Sequence, residues 1–201
     1  MQDSYGLGIV RHLGDQIYEN SVFLRLAKRF NKPVYKAPHF RQELFDLYPD
    51  YYTNVEFIEK DGPNKQFPWD YTHDPFYIQF DLQKSQYVKG LPKYYITTQF
   101  DAIYEDHIKN QKQIIDKYNY DVIDIGNKKY NLAQTLYIVA NSQGHVGANS
   151  GMSNFALCVP NTNCDKFVHV YSTMYESDNT QCFTLACKLN GGVFYGKECF
   201  M

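Results

Sequence analysis

Several features that would assign a function class at once are scarce or missing in this sequence. The formal net charge is only −2 at pH 7, and no long run of like charge occurs. The chain therefore lacks the electrostatic surface that binds a nucleic-acid backbone stably. No stretch reaches the roughly 20 apolar residues of a membrane span, and the first residues have neither a basic start nor a long apolar region. We expect no stable nucleic-acid partner, no membrane span and a cytoplasmic location.

Catalytic and metal-binding motifs with strict spacing are also missing. The sequence has no Gly-x-Ser-x-Gly and no complete Gly-x-x-x-x-Gly-Lys-Ser/Thr, so hydrolase and P-loop interpretations have no support. It has no Asp-x-Asp pair to hold a divalent ion. The five cysteines are odd in number, lie in the last quarter and form no Cys-x-x-Cys pair, which indicates neither a complete disulfide set nor a zinc site. We expect reduced, structural thiols, with a bridge such as Cys182–Cys199 as an open alternative.

Aromatic residues are abundant: they make up 17% of the chain, and 19 of them are tyrosines. Tyrosine is frequent where a protein contacts a polar ligand that has apolar faces, and it also fills cores. Many of the aromatics fall in residues 59–90, together with several prolines and glycines. This segment predicts a long ordered loop with one strand near residues 76–80, and long loops in compact domains are often functional. Its aromatic residues would contact a ligand, pack between two lobes, or do both.

The spacing of apolar residues on either side of that loop predicts two β-α-β runs, with a boundary at Gly90. The first run has predicted strands at 6–12, 33–36 and 55–58 and helices at 15–30 and 40–47. The second has predicted strands at 93–98, 122–125, 145–148 and 167–171 and helices at 106–118 and 132–141. Alternation of strands and helices is typical of parallel sheets with helices on their faces. We expect an α/β protein with two lobes, residues 1–90 and 91–201, and a cleft between them.

The most informative stretch runs from residue 143 to residue 157. It begins with small, strand-compatible residues, turns at Asn149-Ser150-Gly151, and continues as an apolar helix. A helix that begins at the carboxyl end of a strand directs free N–H groups and its positive dipole end there, and in an open α/β sheet this is the ligand crevice. The stretch predicts a site for an anionic group. The alternative is an ordinary strand–turn–helix connection.

Two segments together resemble glycosyltransferase family 9, which contains the heptosyltransferases of lipopolysaccharide core assembly. The Gly14-Asp15 join resembles the amino-terminal signature of that family. Residues 147–156 resemble its donor-site stretch, usually Asp-Ser/Thr-Gly, two further residues and His-Leu-Ala, except that Asn149 replaces the Asp and Asn154 the His. The resemblance implies a shortened, divergent member with a compact two-lobed, glycosyltransferase-B-like arrangement of Rossmann-like parallel sheets. Residues 1–90 would be the acceptor-side lobe and residues 91–201 the donor lobe.

The resemblance also implies roles for individual residues. Asp15 would be the general base that takes the proton of the acceptor hydroxyl; from the residues alone it would equally serve as a helix cap. The expected acceptor-side residues are His12, Gly14 and Trp69. The residues expected to bind the donor are Thr98, Gln99, Asn149, Ser150, Gly151, Met152 and Asn154. Gly151 would let the backbone approach a diphosphate closely.

The function that follows is an inverting, metal-independent glycosyltransferase that moves a sugar from a nucleotide-sugar donor to a glycan or small acceptor. The nucleotide sugar would be a substrate, so no cofactor is expected. The alternative is a catalytically silent protein of the same fold that binds a nucleotide sugar or a glycan. Asn149 and Asn154 favour the silent protein, whereas the intact Gly14-Asp15 favours the enzyme.

Overall fold

The strands and helices alternate along the chain in the computed structural model, which describes residues 4–59, 77–100, 112, 115–126, 128–148, 150–160 and 167–171. In the first half they are β1 (Tyr5–Leu7), α1 (Leu13–Phe30), β2 (Val34–Lys36), α2 (Gln42–Phe45), α3 (Asp50–Thr53) and β3 (Phe57–Ile58). After a short 3₁₀ turn (Leu82–Lys84) they are β4 (Tyr95–Thr98), β5 (Asp121–Asp124), α4 (Leu132–Ala140), β6 (Gly144–Ala148), α5 (Gly151–Leu157) and β7 (Phe167–Tyr171).

The first sheet consists of β1, β2 and β3 in sequential order, and both strand pairs are parallel. Helix α1 connects β1 to β2 and is the longest helix of the described chain. It ends because Asn31 adopts the left-handed conformation (φ 49°) and because Pro33 follows two residues later. The N–H of Lys32 then donates to the Ala27 carbonyl oxygen at 2.9 Å, which satisfies one of the last helical carbonyls.

The second sheet has the order β5-β4-β6-β7, and all of its strands are parallel. The chain leaves β4 for β5 on one side and returns to β6 on the other side of β4. Neighbouring strands β4 and β6 therefore have connections that run in opposite directions, which defines a topological switch point. Helix α4, which precedes β6, begins with a full capping box. In it the side chains of Asn131 and Gln134 each accept a hydrogen bond from the backbone N–H of the other.

The larger of two apolar clusters among the described residues contains residues from both halves of the chain. Leu7 and Leu24 belong to the first half of the chain and Leu136 and Phe155 to the second, and all four lie in one cluster of buried side chains. The rings of Phe80 and Phe155 are 4.7 Å apart between centroids. The division into residues 1–90 and 91–201 stays a prediction. Within the described part, no helix is long and apolar enough to cross a bilayer.

Most predicted elements of the described chain exist, and the differences have local causes. The strand predicted at 6–12 ends at Leu7, and the helix predicted at 15–30 begins two residues earlier, at Leu13. The predicted helix at 40–47 covers only Gln42–Phe45, and a second short helix, α3, begins after Pro49. Residues 77–80 form no strand, since Ile78 donates its N–H to the Ser21 hydroxyl at 3.0 Å. Most of the predicted helix at 106–118 lies outside the described residues.

Phe155→Ala should test whether both sheets depend on one core. Phe155 is fully buried, so we expect a loss of about 3–5 kcal/mol in the free energy of unfolding. Urea denaturation followed by far-UV circular dichroism measures it, and Tyr94→Ala at an exposed ring is the matched control, expected within about 0.5 kcal/mol of wild type. Two separate transitions, only one of which moves in Phe155→Ala, would contradict the single core.

Candidate functional site

The carboxyl ends of β4 and β6 lie together at the switch point of the second sheet. Gln99 follows β4 and Ser150 follows β6, and the Ser150 hydroxyl donates to the Gln99 side-chain oxygen at 2.6 Å. Ser150 is also the N-cap residue of α5, but its side chain makes no capping hydrogen bond. In open α/β sheets this position, outside the strand ends at a switch point, is where ligands bind. The structure thus brings together Gln99 and Ser150, two of the predicted donor-side residues.

The first turn of α1 packs directly against the first turn of α5. A Cβ atom added to Gly14 would lie 2.6 Å from the Asn154 side-chain nitrogen and 3.3 Å from the Gly151 Cα. A Cβ added to Gly151 would lie 3.0 Å from the Leu13 Cβ and 3.2 Å from the Gly14 nitrogen. Both positions therefore need glycine for the close approach of two helices. The sequence suggested that Gly151 admits a phosphate, but the close approach in the structure is between Gly151 and α1.

Asn154 holds this contact in place through both ends of its amide. Its nitrogen donates to the Ser150 carbonyl oxygen at 3.1 Å, and its oxygen accepts a hydrogen bond from the Tyr77 hydroxyl at 3.1 Å. The Tyr77 ring in turn packs edge-on against the Tyr18 ring of α1, with centroids 6.0 Å apart. Sequence analysis missed Tyr77, because only the fold brings residue 77 next to α5. Asn154 is therefore hydrogen-bonded to the start of its own helix and to Tyr77, and the ring of Tyr77 packs on α1.

Asp15 lies beside this contact with an exposed side chain. The N-cap residue of α1 is His12, which is also exposed, and no side-chain hydrogen bond caps the helix. Asp15 is thus the third residue of the helix and not its cap. In this first turn its negative charge suits the helix dipole. Within the described chain, no hydrogen bond or ion pair occupies its carboxylate. Asp15 is therefore an exposed carboxylate in the turn of α1 that packs against α5.

Glu19, four residues after Asp15, is a buried carboxyl group that sequence analysis did not single out. Its two oxygens accept hydrogen bonds from the N–H groups of Gly8 at 2.9 Å and Ile9 at 2.8 Å. Burial raises the pKa of Glu19 from 4.5 to about 8, the two backbone hydrogen bonds lower it in part, and the Asp15 charge raises it further. Since both oxygens are bound to the β1–α1 loop, Glu19 shapes that loop.

Gln16 fixes the same loop from the other side. Its side-chain nitrogen donates to the carbonyl oxygens of Val10 at 2.7 Å and His39 at 2.8 Å. Gly8 has a φ of 80°, and a Cβ there would collide with the Phe40 backbone. This position requires glycine both for its conformation and for the close approach. The loop that leads into His12 and Asp15 is therefore held by buried polar contacts.

A buried chain of polar side chains supports α5 from the sheet. The Thr97 hydroxyl lies 3.1 Å from His145 Nδ1, and His145 Nε2 lies 3.2 Å from the Ser153 hydroxyl. All three residues are fully buried. A Cβ at Gly147 would lie 2.6 Å from both His145 Nε2 and the Ser153 hydroxyl oxygen, so Gly147 leaves the room for this contact. The chain ties β4 and β6 to the helix that begins at the switch point.

The structure does not bring every predicted site residue to this place. Thr98 is fully buried, and its hydroxyl has no partner among the described residues. Because side chains alternate along a strand, Thr98 faces away from Thr97 and α5, on the same side as the Ile96 cluster. Met152 is half-buried and packs against the main core. Asn149 and Trp69 lie outside the described residues.

In the part of the chain that the structure describes, few side chains are placed so that they could bind a metal ion. No three His, Cys, Asp or Glu side chains there are grouped so that they could hold a metal ion. Cys158, the described cysteine, is free and fully buried, and burial raises its thiol pKa well above the ordinary value. A protonated, apolar-packed thiol is a poor metal ligand.

No protein-family model and no curated protein sequence matches this chain. The crystal structure of dodecameric iron-containing heptosyltransferase TibC in complex with ADP-D-β-D-heptose is similar in fold, with a TM-score of 0.55 and 12% sequence identity. The alignment covers 88% of this chain and 59% of the TibC chain, so this chain spans about three fifths of that protein's length. At this identity the likeness is one of fold, and it supports a glycosyltransferase-like α/β fold.

Gly14→Ala should weaken the contact between α1 and α5. The added methyl group meets the Asn154 amide, and we expect a loss of about 1–3 kcal/mol in the free energy of unfolding. A double-mutant cycle with Asn154→Ala checks the cause, because removal of the amide should make Gly14→Ala less destabilising. Strict additivity of the two changes in urea denaturation would contradict the direct contact.

Glu19→Gln should flatten the pH dependence of stability. Because the pKa of Glu19 is higher in the folded chain (about 8) than its ordinary 4.5, the folded state binds more protons between these values. The stability that Glu19 contributes is complete below about pH 4.5 and is lost as the pH rises to about 8. Urea denaturation from pH 5 to pH 9 should show this decline in wild type and in the exposed control Glu43→Gln, but a smaller one in Glu19→Gln. The same decline in all three proteins would contradict this role.

Proposed function

We propose that this chain is a glycosyltransferase that moves a sugar from a nucleotide-sugar donor to a glycan or small acceptor. The observation that carries the proposal is the junction of α1 and α5 at the switch point of the second sheet. It joins the exposed carboxylate of Asp15 to the segment that contains Ser150 and Gly151. The fold likeness to a heptosyltransferase in complex with ADP-D-β-D-heptose supports the architecture that this proposal requires.

The donor would bind outside the carboxyl ends of β4 and β6, where Gln99 and Ser150 meet. Their side chains offer hydroxyl and amide groups of the kind that bind ribose or phosphate oxygens. The first N–H groups of α5 have no partner within the helix and would complete the site for the diphosphate. Asn149 and Met152 remain predicted contributors to this donor site, whereas Thr98, which was also predicted, is fully buried and faces away from α5.

Asp15 would act as the general base on the acceptor side. Transfer with inversion needs one group that removes the proton from the acceptor hydroxyl as this oxygen attacks the anomeric carbon. Asp15 has the required carboxylate and exposure, and Glu19 does not, because its two oxygens are bound to Gly8 and Ile9. His12 and Gly14 would border the acceptor side, and Trp69 is predicted to do so.

The transfer that we propose uses no metal ion. The sequence lacks an Asp-x-Asp pair, and charge on the leaving diphosphate would be stabilised by N–H groups. The TibC structure contains iron. The residues described in this chain do not fit an iron site, because the described cysteine is buried in the core and protonated.

A catalytically silent protein that binds a nucleotide sugar or glycan is the second candidate. Asn154 favours the silent protein. It stands where glycosyltransferase family 9, which the sequence resembles, usually has a histidine, and both ends of its amide are already hydrogen-bonded. Asn154 therefore supplies neither a proton nor a charge to the reaction. Transfer or hydrolysis measured with a panel of nucleotide sugars separates the two candidates.

Asp15→Asn should abolish transfer and leave the fold intact. The change removes the proton acceptor but keeps the shape, so we expect the transfer rate to fall by about 10²–10⁴. The free energy of unfolding should change by no more than about 1 kcal/mol, since only the interaction of the charge with the helix dipole is lost. Rate, donor affinity and stability are measured on the same preparation.

Glu43→Gln is the matched control for this experiment, because Glu43 is an exposed carboxylate in the first turn of another helix. It should transfer sugar at the wild-type rate. Full transfer activity in Asp15→Asn would remove Asp15 from the catalytic role. Donor binding without turnover in the wild type would favour the silent protein.

A further inference from the structure

A cleft of about 330 Å³ lies at the opposite end of α1 from the proposed transfer site. It is formed between the last turns of α1 and helix α3. Three of its lining residues are cations and none is acidic. The lining consists of Val22, Arg25, Leu26, Lys28, Arg29, Tyr51 and Tyr52. Asp50, the carboxylate that precedes Tyr51, is engaged with the Lys84 ammonium group at 2.7 Å. Among the residues that line the cleft there are therefore cations and no carboxylate, on a chain whose formal net charge is −2.

Lys28 and Tyr51 are held together at the mouth of this cleft. The Lys28 ammonium nitrogen lies 4.6 Å from the centre of the Tyr51 ring and 3.4 Å from the Asn54 carbonyl oxygen. The Tyr51 ring packs edge-on against Tyr52 at 5.2 Å between centroids. Tyr51 nevertheless keeps 68% of its surface exposed. A cation and an accessible aromatic ring are thus presented side by side.

The helix dipole explains only part of this arrangement. Cations such as Lys28 and Arg29 are favourable in the last turn of any helix. The dipole does not account for a largely exposed tyrosine ring beside them, or for Val22 and Leu26 in the lining. Cations, an aromatic face and apolar side chains together are the features of a site for a small, amphipathic anion.

We propose that this cleft binds a phosphorylated sugar. Its volume is at the lower end of small-molecule sites, which span about 300–1,000 Å³. The Arg29 guanidinium and the Lys28 ammonium group would bind the phosphate oxygens, while the Tyr51 ring would pack against the apolar face of the sugar. A concave site with three cations suits a small ligand better than an anionic membrane, which is typically bound by about 4–8 basic residues.

This site is separate from the proposed transfer site. Arg29 follows Asp15 by 14 residues of one helix, which corresponds to about 21 Å at the helical rise of ~1.5 Å per residue. The proposal does not rest on glycosyltransferase activity, because its evidence lies entirely in the cleft. A variant that loses sugar transfer should still bind a phosphorylated sugar in the cleft, and a variant that loses this binding should still show transfer.

Isothermal titration calorimetry with glucose 6-phosphate tests the proposal on the full chain. Wild type should bind this probe, and the double variant Lys28→Gln with Arg29→Gln should bind it at least tenfold more weakly. The matched control, Lys93→Gln with Lys117→Gln, removes the same charge from exposed lysines elsewhere and should bind like wild type. Thermal melts of each protein, followed by circular dichroism, confirm that the variants are folded.

The role of the ring is tested by Tyr51→Leu, which should weaken binding of glucose 6-phosphate and leave binding of inorganic phosphate unchanged. Four outcomes would overturn the proposal: no binding by wild type, unchanged binding by the Lys28 and Arg29 variant, equal weakening in the lysine control, or equal affinity for inorganic phosphate and glucose 6-phosphate. Asp15→Asn should bind the probe like wild type, which separates this result from the outcome for the transfer site.

Discussion

The close approach of α1 and α5 is the contact on which the candidate site depends. Gly14 and Gly151 have no side chains, so the first turns of two helices from different halves of the chain meet backbone to backbone. Asn154, on α5, also accepts a hydrogen bond from Tyr77, whose ring packs against Tyr18 of α1. The contact brings the β1–α1 loop of the first sheet to the switch point of the second. Without it, Asp15 and Ser150 would belong to unrelated surfaces.

Buried polar groups give this junction its definite shape. A polar group inside a protein is costly unless it is hydrogen-bonded, and the side chains of Glu19 and Asn154 find partners that connect separate segments. His145 does the same between the sheet and α5. The bonds of Glu19 and Tyr77 fix a loop relative to a helix, and those of His145 fix a strand relative to a strand and a helix. The site is consequently defined by structural polar residues as much as by the exposed residues that would contact a substrate.

The fold likeness and the site contribute different kinds of support. A fold hosts many chemistries, so the similarity to a heptosyltransferase at 12% identity bears on architecture. The substrate class rests on what lies at the switch point, and there Gln99 and Ser150 provide polar groups while Asp15 provides a carboxylate nearby. Helix α1 also separates charge along its length, with Asp15 in its first turn and Lys28 and Arg29 in its last. This polarity matches the helix dipole and leaves two chemically distinct surfaces on one element.

The sequence by itself determined most of the order of strands and helices in the described residues and the positions of Asp15 and Ser150 at the starts of two helices, because apolar periodicity and turn residues act locally. It did not determine that Gly14 packs on Gly151, that Tyr77 reaches Asn154, or that Thr98 faces away from α5. Those facts depend on contacts between residues far apart in the chain and on which face of a strand a side chain occupies. The tertiary structure also decided that Glu19 is a buried loop anchor with a raised pKa and Asp15 an exposed carboxylate. Burial depends on the packing of the whole chain, which no local pattern records.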